Sequence, residues 1–207
     1  MNKEYESVDK FEKTIADFFG APYAVATDCC TNALELSIRI TDYANIKVPV
    51  HTYVSVPYML MKNGWQFTFT DQKWKGYHYL TDQVIDAAVY WKKNGYIPGT
   101  LMCLSFFKRK HLSTDRGGII LLDDKDKYED LIRLVYDGRN RSDTPYNKQK
   151  CGMGYHYYMT SDKANLGLQN FEKVKDKKPI EKNWDWYTPV NQYSTVFGNE
   201  DIIFSSE

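Results

Sequence analysis

The 207-residue sequence has no excess of charge of either sign, because Lys and Arg together number 27 and Asp and Glu also number 27. This balance argues against the basic surface of a nucleic-acid-binding protein and the acidic bias of a solvating tail. No apolar run reaches the length of about 20 residues that a membrane-spanning helix needs. Residues 1–6 also contain no apolar signal-peptide core. We therefore expect a cytoplasmic protein that binds neither nucleic acid nor membranes.

Cysteine is scarce as well, since only Cys29, Cys30, Cys103 and Cys151 are present. Four cysteines at irregular intervals do not form a disulfide scaffold, and they lack the paired spacing of a zinc knuckle. We expect no metal site. The adjacent Cys29 and Cys30 are interpreted as small buried residues rather than as a redox pair.

Aromatic residues, in contrast, are abundant at 15% of the chain, including 17 tyrosines. Many of them lie near the C-terminus, which indicates an interface or a ligand cleft there. With 43% hydrophobic residues, a chain of this length has enough apolar side chains for the core of one domain.

Helical and strand patterns alternate through the first 135 residues. Ser7 resembles a helix N-cap and Gly20 a helix end, and further helices are predicted from Thr31, over residues 54–61 and 125–136, and at 160–175. Short apolar strands lie between them. This alternation predicts an α/β fold with a mostly parallel sheet sandwiched by helices.

Polar residues cluster where three of these strands end, at residues 28–32, 51–55 and 105–111. In open α/β sheets, ligands bind beyond the carboxyl ends of the strands. The clusters therefore indicate a binding site at that edge of the sheet.

Lys110 and Asp86 are the candidate reactive residues. A lysine at the end of an apolar strand can be partly desolvated, which lowers its pKa and makes the neutral, nucleophilic amine accessible. Asp86 follows the apolar pair Val84 and Ile85 and could hold the proton of a pyridinium nitrogen. Taken singly, Lys110 could equally belong to a solvated basic loop and Asp86 could cap the next helix.

Several segments in order resemble the DegT/StrS family of sugar aminotransferases, which depend on pyridoxal 5′-phosphate (PLP) and have the aspartate aminotransferase fold. The family's Ser-Gly-Thr-x-Ala-Leu motif is similar to Cys30–Leu36, and its Glu-Asp-x-Ala segment is similar to Val84–Ala88. Its Ser-Phe-x-x-x-Lys…Gly-Gly signature matches Ser105–Gly118. Its later segments resemble Gly154–Thr160 and Ala164–Gln169. The resemblance covers roughly residues 7–175 and implies the large domain of a type I PLP-dependent transferase.

The resemblance implies a role for each matching residue. Lys110 would bind PLP through a Schiff base and carry protons during catalysis, and Asp86 would pair with the pyridinium nitrogen. Tyr53 would stack on the ring, although it could be a packed core aromatic. Thr31, Asn32 and the hydroxyl of Ser105 would hold the phosphate, and Cys30 would also belong to the cofactor site. Thr31 could instead be a plain N-cap and Ser105 a plain buried hydroxyl. His156 replaces an asparagine that reaches the phosphate of the neighbouring subunit, which implies a homodimer with shared active sites.

The sequence also departs from the family pattern. Val89 stands where the family has a Gln or His that contacts the cofactor ring oxygen, and Tyr158 replaces an Arg. The large domain is compacted between Asp71 and Asp86, and the usual C-terminal domain is largely absent. We therefore predict a PLP-binding domain at residues 1–176 and a short C-terminal segment at 177–207.

The expected activity is transfer of an amino group from an amino acid such as glutamate to a nucleotide-linked keto sugar, as in polysaccharide biosynthesis. Related dehydratases have a histidine in place of this lysine, so Lys110 favours transamination. One alternative is a non-catalytic relative that binds PLP or a nucleotide sugar, or that pairs with a full-length partner. A further alternative is an α/β domain without PLP that resembles the family by chance.

Overall fold

The computed structural model describes residues 5–42, 45–141, 152–178 and 182–190. The helices within these ranges are α1 (Glu6–Phe19), α2 (Cys30–Arg39), α3 (Ser55–Lys62), α4 (Lys125–Val135) and α5 (Ser161–Val174), with a short 3-10 helix at Trp184–Trp186. The strands are β1 (Tyr23–Thr27), β2 (Ile46–Pro49), β3 (Phe67–Thr70), β4 (His78–Tyr79), β5 (Val84–Asp86), β6 (Leu101–Ser105) and β7 (Gly118–Leu122). None of the helices in these ranges is long and apolar enough to cross a membrane.

The main sheet has five strands in the order β1-β7-β6-β5-β4, and β2 and β3 form a separate parallel pair. The predicted α/β class is confirmed. The main sheet, however, is mixed rather than mostly parallel, because β5 and β6 are its single parallel pair among the described strands.

The antiparallel direction of β7 has a local cause. Residues 106–117 contain no helix, and a parallel return needs a crossover of a dozen or more residues, usually a helix. Instead, the loop folds onto itself, with Phe106 N–H donating to the Gly117 carbonyl at 2.9 Å and Thr114 N–H donating to the Phe106 carbonyl at 2.9 Å. The chain therefore re-enters the sheet beside β6 in the opposite direction.

Helix α1 covers one face of the sheet with an apolar stripe. Phe11, Ile15 and Phe19 are fully buried, at the spacing that places side chains on one helical face. The predicted end of the helix is confirmed, because Gly20 has the left-handed conformation with φ of 76°. The predicted cap is wrong: the helix begins at Glu6, and the Ser7 hydroxyl donates to the Ser161 carbonyl instead.

Helix α5 packs closely against α1 because it contains a glycine at the contact. A Cβ atom at Gly167 would lie 2.5 Å from Cε2 of Phe11, well inside van der Waals distance. Gly167 therefore allows the aromatic ring of Phe11 to approach the backbone of α5 directly.

Helix α2 lies with its first turn against β7 for a similar reason. A Cβ atom at Gly118 would lie 2.5 Å from both the carbonyl carbon of Cys29 and the backbone nitrogen of Cys30. The absent side chain at Gly118 thus allows the N-terminus of α2 to rest on the sheet beside the loop that contains Lys110.

Candidate active site

Lys110 lies in the loop that follows β6. Its backbone N–H donates to the carbonyl of Phe107 at 2.8 Å, and its Nζ donates to the hydroxyl of Tyr187 at 3.0 Å. Burial lowers the pKa of the Lys110 amine, while the negative charge of Asp86 opposes that change. Lys110 is therefore a partly desolvated lysine whose neutral form is more accessible than that of a surface lysine.

Asp86 ends β5 and is buried, with 7% of its surface exposed. Its Oδ1 accepts a hydrogen bond from the N–H of Ala88 at 2.9 Å, which fixes the carboxylate. His78 is its cross-strand partner on β4. Burial lowers the pKa of His78, so the imidazole beside Asp86 favours its neutral form, although the charge of Asp86 opposes this effect.

The phenol of Tyr187 is near both Lys110 and Asp86. Tyr187 lines a small cavity together with Asp86, His78 and Thr52, and the volume open to the centre of a water-sized sphere is about 10 Å³. Such a volume holds at most about one water molecule. Burial raises the pKa of Tyr187, and the nearby charge of Asp86 raises it further, so the phenol stays protonated.

Two hydroxyl groups meet at the first turns of neighbouring helices. Oγ1 of Thr31 in α2 lies 2.7 Å from Oγ of Ser55 in α3. The N–H groups in a helix's first turn have no partner within the helix, and they attract anions. Asn32, in contrast, uses its side-chain amide to donate to Asp28 at 2.7 Å, and Asp28 also pairs with Arg116 at 3.0 Å.

The remaining predicted site residues are Cys30, Tyr53, Ser105 and His156. Cys30 is buried, and burial raises the pKa of its thiol well above the ordinary value, with a further increase from Asp86. The Tyr53 ring is 56% exposed and lies 6.1 Å from the Tyr187 ring. Ser105 lines a second cavity beside Lys110. His156 contacts Asp137, with Nδ1 3.1 Å from Oδ1.

The three polar clusters predicted at strand ends do converge. Thr31 and Ser55 join the first two clusters. His51, in the second, lies with Nδ1 2.8 Å from the carbonyl oxygen of Tyr187, whose hydroxyl contacts Lys110 in the third. The residues that link the clusters therefore form one site at an edge of the fold.

Sequence reasoning missed Tyr187, Ser55 and His78 as site residues. Tyr187 lies in a segment without helical or strand periodicity, so no pattern placed its ring beside Lys110. The concentration of aromatic residues near the C-terminus was the available signal, and Trp186 and Tyr187 each line one of two small cavities at the site.

A comparison with known protein families identifies the family of the chain. The model of the DegT/DnrJ/EryC1/StrS aminotransferase family matches residues 1–98 and 88–188. No curated protein matches the sequence.

Solved structures share the fold at low sequence identity. AtS13 from Actinomadura melliaura has a TM-score of 0.71 at 17% identity, covering 82% of this chain and 60% of its own. PseC from Helicobacter pylori, an aminotransferase involved in the biosynthesis of pseudoaminic acid, has a TM-score of 0.66 at 16% identity, covering 82% and 58%. A GDP-4-keto-6-deoxymannose-3-dehydratase with a trapped PLP-glutamate geminal diamine has a TM-score of 0.63 at 18% identity, covering 82% and 61%. The chain thus spans between 58% and 61% of the length of these structures.

Proposed function

Because the chain belongs to the DegT/DnrJ/EryC1/StrS aminotransferase family, we propose that it transfers an amino group from an amino-acid donor such as glutamate to a nucleotide-linked keto sugar. The cofactor of this family is pyridoxal phosphate. The observation that carries the proposal is the proximity of Lys110 and Asp86: the charge of Asp86 acts on the Lys110 amine, and Tyr187 contacts Lys110 and shares a cavity with Asp86.

The residues of the site fit this cofactor in chemistry. The amine of Lys110 donates to the phenol of Tyr187, and that phenol shares a cavity with the carboxylate of Asp86. Because that cavity holds no more than about one water molecule, the cofactor ring would have to displace the phenol side chain. The orphaned Nδ1 of His78, which has no hydrogen-bond partner among the described residues, lies in the wall of that cavity.

Each site residue has a separate role in this proposal. Asp86, held by Ala88 N–H, would keep a proton on the pyridine nitrogen, since a buried carboxylate stabilises an adjacent cation. Thr31 and Ser55, with the first turn of α2, would bind the phosphate, and Cys30, Asn32 and Ser105 would complete its surroundings. Tyr53 would cover one face of the ring.

When bound, pyridoxal phosphate supplies an electron-accepting ring and an aldehyde carbon that carries the amino group between two substrates. Lys110 would hold that carbon covalently in the resting enzyme. Once displaced, its Nζ would move a proton to and from the reacting carbon of the substrate, which requires an amine that is neutral near physiological pH. The lowered pKa of Lys110, caused by burial, favours that neutral form.

The wider assignments are proposals that rest on the family. Residues 1–176 would form the cofactor-binding domain, and 177–207 a short C-terminal segment in place of the usual small domain. The protein would act in the cytoplasm in polysaccharide biosynthesis. It would form a homodimer in which His156 reaches the phosphate site of the partner subunit, a position compatible with its exposed side chain (73% of its surface).

A spectroscopic titration tests the proposal. The purified protein with added pyridoxal phosphate should develop a visible absorption band that Lys110→Ala abolishes and the matched loop variant Lys108→Ala retains. Glutamate should then convert the band to that of the aminated cofactor, and a nucleotide-linked keto sugar should restore it. Wild-type protein that stays colourless with excess cofactor would refute the proposal.

The occupied ring position also favours a second candidate, a non-catalytic relative that binds PLP or a nucleotide sugar or completes a partner chain. Tyr187 leaves room for no more than about one water molecule beside Asp86. Cofactor binding without amino transfer to any keto sugar of a broad panel would support this candidate, whereas turnover with one of them would exclude it.

A further inference from the structure

A second cavity is lined by Lys110, and four basic residues are in its walls. We name it the Lys110 cavity. Its volume open to the centre of a water-sized sphere is about 40 Å³. The residues that matter for its chemistry are Trp91, Arg109, Lys110, His111, Lys182 and Trp186.

Positive charge in this cavity is not balanced by its own walls. Four of the residues that line the cavity are basic. No Asp or Glu is among the described lining residues. Burial lowers the pKa of Lys182, and the neighbouring charge of Lys110 lowers it further. An anion bound in this partly enclosed space would stabilise the protonated form of Lys182 and would be attracted by the guanidinium group of Arg109.

The cavity also has hydrogen-bonding groups without partners. Trp91 is 4% exposed, and its indole N–H has no acceptor among the described residues. An indole nitrogen can only donate, so an oxygen acceptor is the group that would satisfy it. Nε2 of His111 is likewise buried without a partner in the described part of the chain, although burial lowers the pKa of this ring and so favours its neutral form.

We propose that the Lys110 cavity binds a carboxylate of the amino-acid donor, with Trp91, Arg109 and Lys182 as the recognising side chains. The proposal rests on the proposed function, and it names residues that select the donor. A carboxylate offers two acceptor oxygens, which suit an indole N–H together with an ammonium or guanidinium group.

The size and position of the cavity agree with this ligand. Its volume corresponds to roughly three water-sized positions, which matches the three heavy atoms of a carboxylate group and is too small for a nucleoside diphosphate. Lys110 lines the cavity, so a donor anchored there would have its amino group beside the lysine. Ala88 and Val89 line both this cavity and the one beside Asp86, so the two spaces adjoin.

Binding of glutarate to the cofactor-free protein tests the proposal without any turnover. Glutarate has the two carboxylates of glutamate but no amino or carbonyl group that could react. Calorimetry should show binding by the wild type and a loss of about tenfold in affinity for Lys182→Met, as expected when one charge-assisted hydrogen bond is removed. Trp91→Phe, which keeps an aromatic ring and removes the N–H, should also weaken binding.

Lys108→Met is the matched control, since it removes an exposed positive charge from the same loop without changing the cavity wall. Equal glutarate affinity in all variants or no glutarate binding by the wild type would each overturn the proposal. Visible absorption after addition of pyridoxal phosphate is recorded for the same variants. If the variants develop the visible band and bind glutarate as the wild type does, the carboxylate site alone is refuted. If the wild type develops no visible band, the proposed function is refuted.

Discussion

The hydroxyl of Tyr187 accepts a hydrogen bond from Nζ of Lys110 at 3.0 Å, although 77 positions separate them in the sequence. The segment that carries Tyr187 is anchored on both sides of it. Trp184 N–H donates to the Trp74 carbonyl at 2.9 Å, and Val190 N–H donates to the Val50 carbonyl at 2.8 Å. The phenol is therefore a fixed part of the site, and any ligand that contacts both Lys110 and Asp86 competes with it.

We expect Tyr187→Ala to bind pyridoxal phosphate more tightly than the wild type does. Cofactor binding to the wild type must break the hydrogen bond to Lys110, and the variant has no such bond to lose. The gain should be about tenfold, the equivalent of one hydrogen bond to a charged group. A titration followed by visible absorption measures it.

Tyr187→Phe separates the two contributions of this side chain, because it keeps the ring and removes the hydroxyl. Its affinity should lie between those of the wild type and Tyr187→Ala. Thr188→Ala, an exposed position in the same segment, serves as the control and should leave the affinity unchanged. Weaker cofactor binding by Tyr187→Ala would mean that the phenol assists the cofactor rather than competes with it.

The reactivity of Lys110 should depend on Asp86 with a definite sign. Burial lowers the pKa of Lys110 below the ordinary value of 10.5, and the charge of Asp86 raises it. The neutral amine should therefore form at a lower pH than in a surface lysine, and Asp86→Asn should shift the midpoint to a still lower pH. Acylation of Lys110 in the cofactor-free protein as a function of pH, followed by peptide mass analysis, measures this shift.

Asp82→Asn is the control for this experiment, since Asp82 is an exposed carboxylate in the turn just before β5. It should leave the Lys110 midpoint in place. A midpoint that rises in Asp86→Asn would show that loss of the carboxylate exposes the amine to water rather than removing a stabilising charge.

The sequence was sufficient to predict the site residues that lie at strand ends or in the first turn of a helix. Asp86 and Lys110 each follow an apolar strand, and Thr31 opens a helix, so local pattern was sufficient to place them at one edge of the sheet. The direction of β7 was not predicted, because alternating strands and helices suggested parallel returns, while residues 106–117 turn back without a helix.

Tyr187 could not be placed for a different reason. Its position depends on hydrogen bonds from neighbouring residues to Trp74 and Val50, which are contacts over more than 100 residues of sequence. Such long-range pairing leaves no periodic signal in residues 182–190. Composition alone, through the aromatic residues near the C-terminus, indicated a cleft without identifying which ring enters it.

Thr31→Val should distinguish phosphate recognition from ring recognition. Valine removes the hydroxyl that meets Ser55 at 2.7 Å while keeping a similar shape. We expect the affinity for pyridoxal phosphate to fall about tenfold, as for one lost hydrogen bond to an anion, and the affinity for pyridoxal, which has no phosphate, to stay the same. Thr14→Val, on the exposed side of α1, is the control. Equal losses for both ligands would place Thr31 outside the phosphate site.

Gly118→Ala should destabilise the protein and disturb the cofactor site together. The added Cβ would lie 2.5 Å from backbone atoms of both Cys29 and Cys30, and backbone cannot rotate away as a side chain can. Either β7 or the first turn of α2 must then shift, which should lower the free energy of unfolding by about 1–3 kcal/mol, a typical overpacking penalty. Urea unfolding measures this change. Because Thr31 is in the same turn, the affinity for pyridoxal phosphate should also fall.

Gly152→Ala is the control, since its Cβ would come no nearer than 3.8 Å to another atom. A stable Gly118→Ala protein with wild-type cofactor affinity would show that α2 does not need its close approach to the sheet to form the phosphate site.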